Sequence, residues 1–158
     1  MGFYLSFDPG KTTGWALFDG QGAIIKYGQA SLDELIDLTA EWEKMPITAI
    51  IYESFVLFRH KARQQTGSKM EASQAIGIIK TLARKTDATL VEQDPTIKSL
   101  AQKWTQLKPI GDHAQSHWVD AFNHGAYWLI RQGIRKTALE MAVAEKTITT
   151  QERKNEAL

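Results

Sequence analysis

The sequence predicts a single α/β domain with a mixed sheet. Two observations carry that expectation: three short apolar runs separated by glycine-rich turns open the chain, and strand-like and helix-like patterns then alternate. Residues 3–8 read as a buried strand stopped by Pro9 and Gly10. The run from Trp15 to Phe18 is a second strand, and Ala23 to Tyr27 supplies a third, with Asp19, Gly20, Gln21 and Gly22 as the hairpin loop between them. Ser31 with Glu34 forms a capping box, opening a helix that carries Leu32, Leu35, Ile36, Thr39 and Trp42 on one face and stops before Pro46. Thr48 to Glu53 is the fourth strand. Ser68 with Glu71 repeats the capping pattern, and the helix it opens runs to about Lys85 with Ala75, Ile76, Ile79, Leu82 and Ala83 inward. Ala88 to Glu92 is a fifth strand, Pro95 starts a short helix through Trp104, and Asp112 is a candidate cap for a long helix ending near Gly133. These elements place one domain over 1–136, with 137–158 as an extension, either a helix or a frayed tail.

Composition narrows the class. A hydrophobic share of 43% with 23% charged residues is that of a soluble globular protein. No apolar run approaches the roughly 18 residues that span a bilayer, so no membrane is expected. The first residues carry no basic segment, which argues against a signal peptide and for a cytoplasmic location. The absence of cysteine excludes disulfides and thiolate metal sites. The net charge of +1 hides an asymmetry. Asp33, Glu34, Asp37, Glu41 and Glu43 form an acidic stretch without Lys or Arg, whereas 54–70 holds Arg59, His60, Lys61, Arg63 and Lys69 without an acid. Two solvated faces would explain this, and so would a chain that meets a polyanion on one side.

Candidate chemistry lies at four positions. Asp8 ends the first strand, Glu53 ends the fourth, and His117 and Asp120 stand three apart on the last helix of the domain, so both leave one face. Each has a bland explanation: a turn aspartate before Pro9, a solvated strand-end glutamate, a surface His–Asp pair. Their joint occurrence points elsewhere. Carboxylates at strand ends facing a helix with two more ligands make a cage of hard oxygens plus one imidazole, which suits Mg²⁺ or Mn²⁺.

Asp8 to Ala16, an Asp-Pro-Gly turn followed by Thr13, Gly14 and an aromatic, resembles the first motif of the RuvC-type resolvases, Holliday junction endonucleases of the RNase H-like superfamily. Ile50 to Phe55 resembles their second motif, a strand ending in the catalytic glutamate. His117 to Ala121 resembles their last, where an acid or a histidine stands three residues before the final aspartate. His124 and Tyr127 look like the bacteriophage branch. The resemblance covers about residues 3–131; the turn after Asp8 is one residue shorter than in the bacterial enzymes, and His117 stands where many relatives have Asp.

The resemblance implies an RNase H-like fold with a mixed five-stranded sheet and a homodimer that places paired symmetric nicks in a four-way junction. It implies two divalent ions per site, Mg²⁺ or Mn²⁺, and no organic cofactor, with Asp8, Glu53, His117 and Asp120 as the metal-binding catalytic set. For a phage protein the location would be the host cytoplasm. His113 lies on nearly the same helical face as His124, which leaves a different pairing open. Arg59, Lys61, Arg63 and Lys69 would contact phosphates, while Phe55 or Phe58 would stack on an unpaired base. Three alternatives use the same chain: a less selective branched-DNA or flap endonuclease, an actin-like ATPase or phosphotransferase, and a non-catalytic nucleic-acid-binding module. The second wants another glycine-rich phosphate loop, which Gly67 and Gly111 do not supply.

Overall fold

The computed structural model describes residues 2–55, 69–109 and 116–157. Strands β1 (Phe3–Asp8), β2 (Thr13–Phe18) and β3 (Ile24–Ala30) form the expected antiparallel meander, followed by helix α1 (Leu32–Trp42) and strand β4 (Ile47–Glu53). Helix α2 (Glu71–Thr86), strand β5 (Thr89–Gln93), a 3₁₀ turn (Pro95–Ile97) running into α3 (Lys98–Thr105), α4 (His117–Arg131) and α5 (Ala138–Glu156) complete the order. The five-stranded sheet has the order β3-β2-β1-β4-β5. β1 is antiparallel to β2 but parallel to β4, and β4 is parallel to β5. The mixed sheet expected from the sequence is therefore present, with helices on both faces.

Alternation along the strands assigns the two faces. Leu5, Phe7, Ile50 and Tyr52 point to one side, where Leu35 and Trp42 of α1 and Ala75, Ile79 and Leu82 of α2 cover them. Trp42 meets the edges of Phe7 and Trp15 with ring centroids 5.6 and 5.3 Å apart. Tyr4, Ala16, Phe18, Ala49 and Ile51 point to the other side, under Phe122, Ala126 and Leu129 of α4. Burying side chains of this size contributes about 1.5–3 kcal/mol each.

Several local expectations need correction. β3 runs on to Ala30, because it pairs with β2 as far as Thr13. Ile36 is exposed rather than inward, while Leu32 and Leu38 pack on the core with Leu35, since the inner stripe of α1 is narrower than its apolar pattern. Ser31 does cap α1, accepting from the Glu34 backbone at 3.2 Å. The second capping box does not form: α2 starts at Glu71 behind Met70, which is left-handed at φ 54°, without a side-chain cap, and Ser68 lies outside the described residues. Asp112 also lies outside them; α4 starts at His117 behind Ser116. The extension is a helix, opened by a capping box of Thr137 and Glu140, with no buried residue along α5.

Helix α4 lies unusually close to the sheet. A Cβ on Gly14 would stand 1.9 Å from the His117 carbonyl oxygen, and one on Gly125 would stand 2.6 Å from Phe18 and from Ser6 Oγ. Ser6 Oγ donates to the Ala121 carbonyl at 2.6 Å. Gly14→Ala should therefore lift the first turn of α4 and lower stability by about 1–3 kcal/mol, the usual cost of overpacking. Thermal denaturation of this variant checks it; an unchanged midpoint would show that α4 is not held by this approach.

Candidate active site

Period-two arithmetic brings three strand-end side chains together. Asp8 follows Tyr4 and Ser6 on the α4 side of β1, Glu53 follows Ala49 and Ile51 on the same side of β4, and Gln93 follows Val91 on β5. The strands are neighbours: β1 lies beside β4, and Glu53 is directly across from Gln93. From above, α4 contributes His117, Asp120 and His124, spaced i, i+3 and i+7 on one helical face.

The contacts gather these groups into two adjoining sets, one around Asp8 and one around Glu53. His117 Nδ1 lies 3.1 Å from Asp8 Oδ2. Lys98, at the start of α3, lies 3.0 Å from Glu53 Oε2 and 3.3 Å from Asp120 Oδ2. His124 Nε2 lies 2.8 Å from Glu53 Oε2, and its Nδ1 lies 2.8 Å from Gln93 Oε1. The first backbone N–H of α4, that of His117, donates to Gln29 Oε1 at 2.9 Å. A distant strand thus caps this helix, where Ser116 makes no side-chain cap. His117 pairs with Asp8 across the site rather than with Asp120 on its own helix.

The four residues expected from the sequence therefore converge at one place. Lys98, Gln29 and Gln93 are additions that the sequence reading does not contain, and His124, which it holds open as an alternative histidine, joins the site through Glu53 and Gln93. The available sequence signal for Lys98 is its position just after the Pro95 turn, beyond the strand next to Glu53. Phe55 is exposed and lines a groove with Tyr52, Ile76, Gly77 and Glu92, and Lys69 is exposed at the entry to α2. Phe58, Arg59, Lys61, Arg63 and His113 lie outside the described residues.

Three carboxylates share this place with one ammonium, and their electrostatics show it. Burial, reinforced by the negative charge of Glu53, pushes the Asp8 carboxyl up to about 6, against the opposing pull of Lys98 and His117. Burial would also raise Glu53, but hydrogen bonds from His124 and Lys98 outweigh it and hold the group below its ordinary value. Burial works against the charge on Lys98, yet the bond to Glu53 and the fields of Asp8 and Asp120 keep its pKa above the usual one.

The donor set fits a divalent cation. Two carboxylates, those of Glu53 and Asp120, already converge on a positive charge, that of Lys98, with the Asp8 carboxylate and the His117 imidazole paired beside them, a donor set of hard oxygens and nitrogen. Among the described residues no group of three or more ligating side chains is drawn closely enough to hold an ion as they stand. An ion at this place would therefore take over the contacts Lys98 makes to Glu53 and Asp120.

The raised Asp8 value has a defined consequence for stability without metal. Between its unfolded value near 3.8 and its folded value of about 6, the native state holds the proton that the unfolded chain has released. Stability from this group thus falls as pH rises through that window and stays low above it, by about 3 kcal/mol at 1.36 kcal/mol per pKa unit. In chelator-treated protein, Asp8→Asn should raise the melting temperature at pH 7–8, and the gain should vanish near pH 4. A melting temperature unchanged or lowered at pH 8 would contradict this.

No family model and no curated protein matches the sequence. Among solved structures, the fold is similar to Thermus thermophilus RuvC in complex with a Holliday junction substrate: TM-score 0.60 and 13% identity, covering 87% of this chain and 99% of that one. A second Thermus thermophilus RuvC structure gives a TM-score of 0.56 at 15% identity, covering 85% of this chain and 99% of that one. At these identities the likeness is one of fold, and the chain has the RuvC-like, RNase H-like fold.

Proposed function

We propose that this protein is a divalent-metal-dependent endonuclease that nicks branched DNA, with the four-way junction as its preferred substrate. The observation that carries the reading is the convergence of Asp8, Glu53, His117 and Asp120 at the ends of β1 and β4 beneath α4. It is supported by the fold shared with a RuvC that was solved with a Holliday junction. Asp8, Glu53 and Asp120 would hold Mg²⁺ or Mn²⁺, as a pair in the sense used by two-metal phosphodiesterases, with His117 as a further ligand. The ions would supply Lewis-acid stabilisation of the reacting phosphate and a more acidic attacking water. Lys98, displaced from the carboxylates, would keep a positive charge beside the scissile phosphate. A neutral His117 imidazole has the alternative task of taking the proton of the water.

Two opposed nicks need two sites, so the working species in this reading is a two-fold homodimer. The outer face of α2 supports it: Ser73, Gln74 and Gly77 are exposed, and a Cβ on Gly77 would meet nothing within 4 Å. Arg59, Lys61, Arg63 and Lys69 would bind phosphates, with Phe55 or Phe58 stacking at the crossover.

A nicking assay on a synthetic four-way junction, a flap and a plain duplex, run beside an ATP-hydrolysis assay, tests the reading. Expected are paired symmetric nicks in the junction with Mg²⁺ or Mn²⁺, loss of cleavage in Asp8→Asn with junction binding kept, and no ATP turnover. Equal cleavage of flap and junction would favour the less selective nuclease, and full activity in Asp8→Asn would overturn the site. Neutralising Arg59, Lys61 and Arg63 together should flatten the slope of log affinity against log salt by up to about three counterions' worth. An unchanged slope would place the DNA elsewhere.

A further inference from the structure

We infer that His124 and Gln93 are positioning residues that clamp the Glu53 carboxylate in the orientation its ligand role requires; this rests on the nuclease reading above. His124 is 0% exposed, deeper than any other polar group of the site, and both ring nitrogens are engaged: Nε2 with Glu53 Oε2 at 2.8 Å and Nδ1 with Gln93 Oε1 at 2.8 Å. A core imidazole with no task would be replaceable by an apolar side chain, and burying it is tolerable only with its nitrogens satisfied.

The architecture makes the clamp directional. Glu53 and Gln93 are register partners on parallel strands, so their side chains rise side by side on the α4 face. The Ser54 N–H donates to the Gln93 carbonyl at 2.8 Å and fixes the end of β4 against β5. His124, one turn beyond Asp120 on α4, reaches across both. A carboxylate only accepts hydrogen bonds, so the Nε2 proton must point at Glu53. The Gln93 amide can meet Nδ1 with its carbonyl or, turned over, with its NH₂, and in either case Nε2–H stays on Glu53.

Lys98 touches the same oxygen, but it is part-exposed on a long flexible stem and can withdraw when a metal arrives. His124 is enclosed and cannot. It therefore keeps Glu53 oriented in both states, as hydrogen-bonded neighbours of metal ligands commonly do, and losing such a neighbour typically costs about 10–100-fold in metal affinity or activity.

Isosteric variants of the full chain separate this role from packing. In His124→Gln the amide nitrogen takes the place of Nε2 and keeps the donor to Glu53. In His124→Asn it takes the place of Nδ1 and keeps only the Gln93 contact. The readouts are binding of Mn²⁺ alone by titration calorimetry, kcat and KM for junction nicking, and the melting temperature. His124→Asn is expected to weaken Mn²⁺ binding and kcat by about 10–100-fold with KM unchanged, while His124→Gln recovers most of the loss. Gln93→Met, which leaves His124 in place, should show a smaller loss of the same kind and serves if the His124 variants fail to fold. Equal Mn²⁺ affinity across the variants, or losses that follow melting temperature with Gln no better than Asn, would overturn the inference alone. A parent chain that neither binds Mn²⁺ nor nicks DNA would overturn the nuclease reading, and this inference with it.

Discussion

Helix α4 reaches the sheet only where side chains are missing or small, and the geometry of the site follows from that approach. Gly14 and Gly125 leave no Cβ in the gap, and Ser6 fills the remaining space while donating to the helix backbone at Ala121. Because the first turn of α4 rides on Gly14, and Gly14 is the register partner of Asp8, His117 is carried to the end of β1. The rest of the helix face then follows from its pitch: Asp120 falls above Lys98, and His124 above Glu53 and Gln93. Gln29, projecting from β3 beside Gly14, secures the helix start by accepting the His117 backbone proton.

That placement gathers like charges, and the fold bears the repulsion. Asp8, buried next to Glu53, holds its proton far above the ordinary carboxylate range. Glu53 is held ionised by two donors of different character, one enclosed and one partly exposed. A site left under such strain is stabilised by any cation that enters it. Lys98 supplies part of that relief within the chain, and a divalent ion would supply more. The same crowding that lowers stability would favour any positive charge that enters the site, a trade often seen where function sets the sequence.

The strands and most helices were legible because their signals are local. Ser31 with Glu34 announced α1, and the Asp19 hairpin formed as read, with Asp19 accepting from the Gln21 and Ala23 backbones. Where a local signal had a competitor it misled. Ser68 and Glu71 spell a capping box, but α2 begins behind a left-handed Met70. Ile36 completes an apolar pattern yet faces solvent, because Leu32, Leu35 and Leu38 make up the stripe of α1 that packs on the core.

Asp8, Glu53, His117 and Asp120 could be named from the sequence because strand ends and a three-residue helical spacing are encoded within a few residues each. That Glu53 and Asp120 meet on Lys98 could not, and neither could the part of His124, whose partners lie 71 and 31 residues away. Periodicity and turn chemistry are properties of short segments and survive in one dimension. Which buried donor faces which carboxylate depends on strand order, register and the height of a helix above the sheet, and those are fixed only when the layers close.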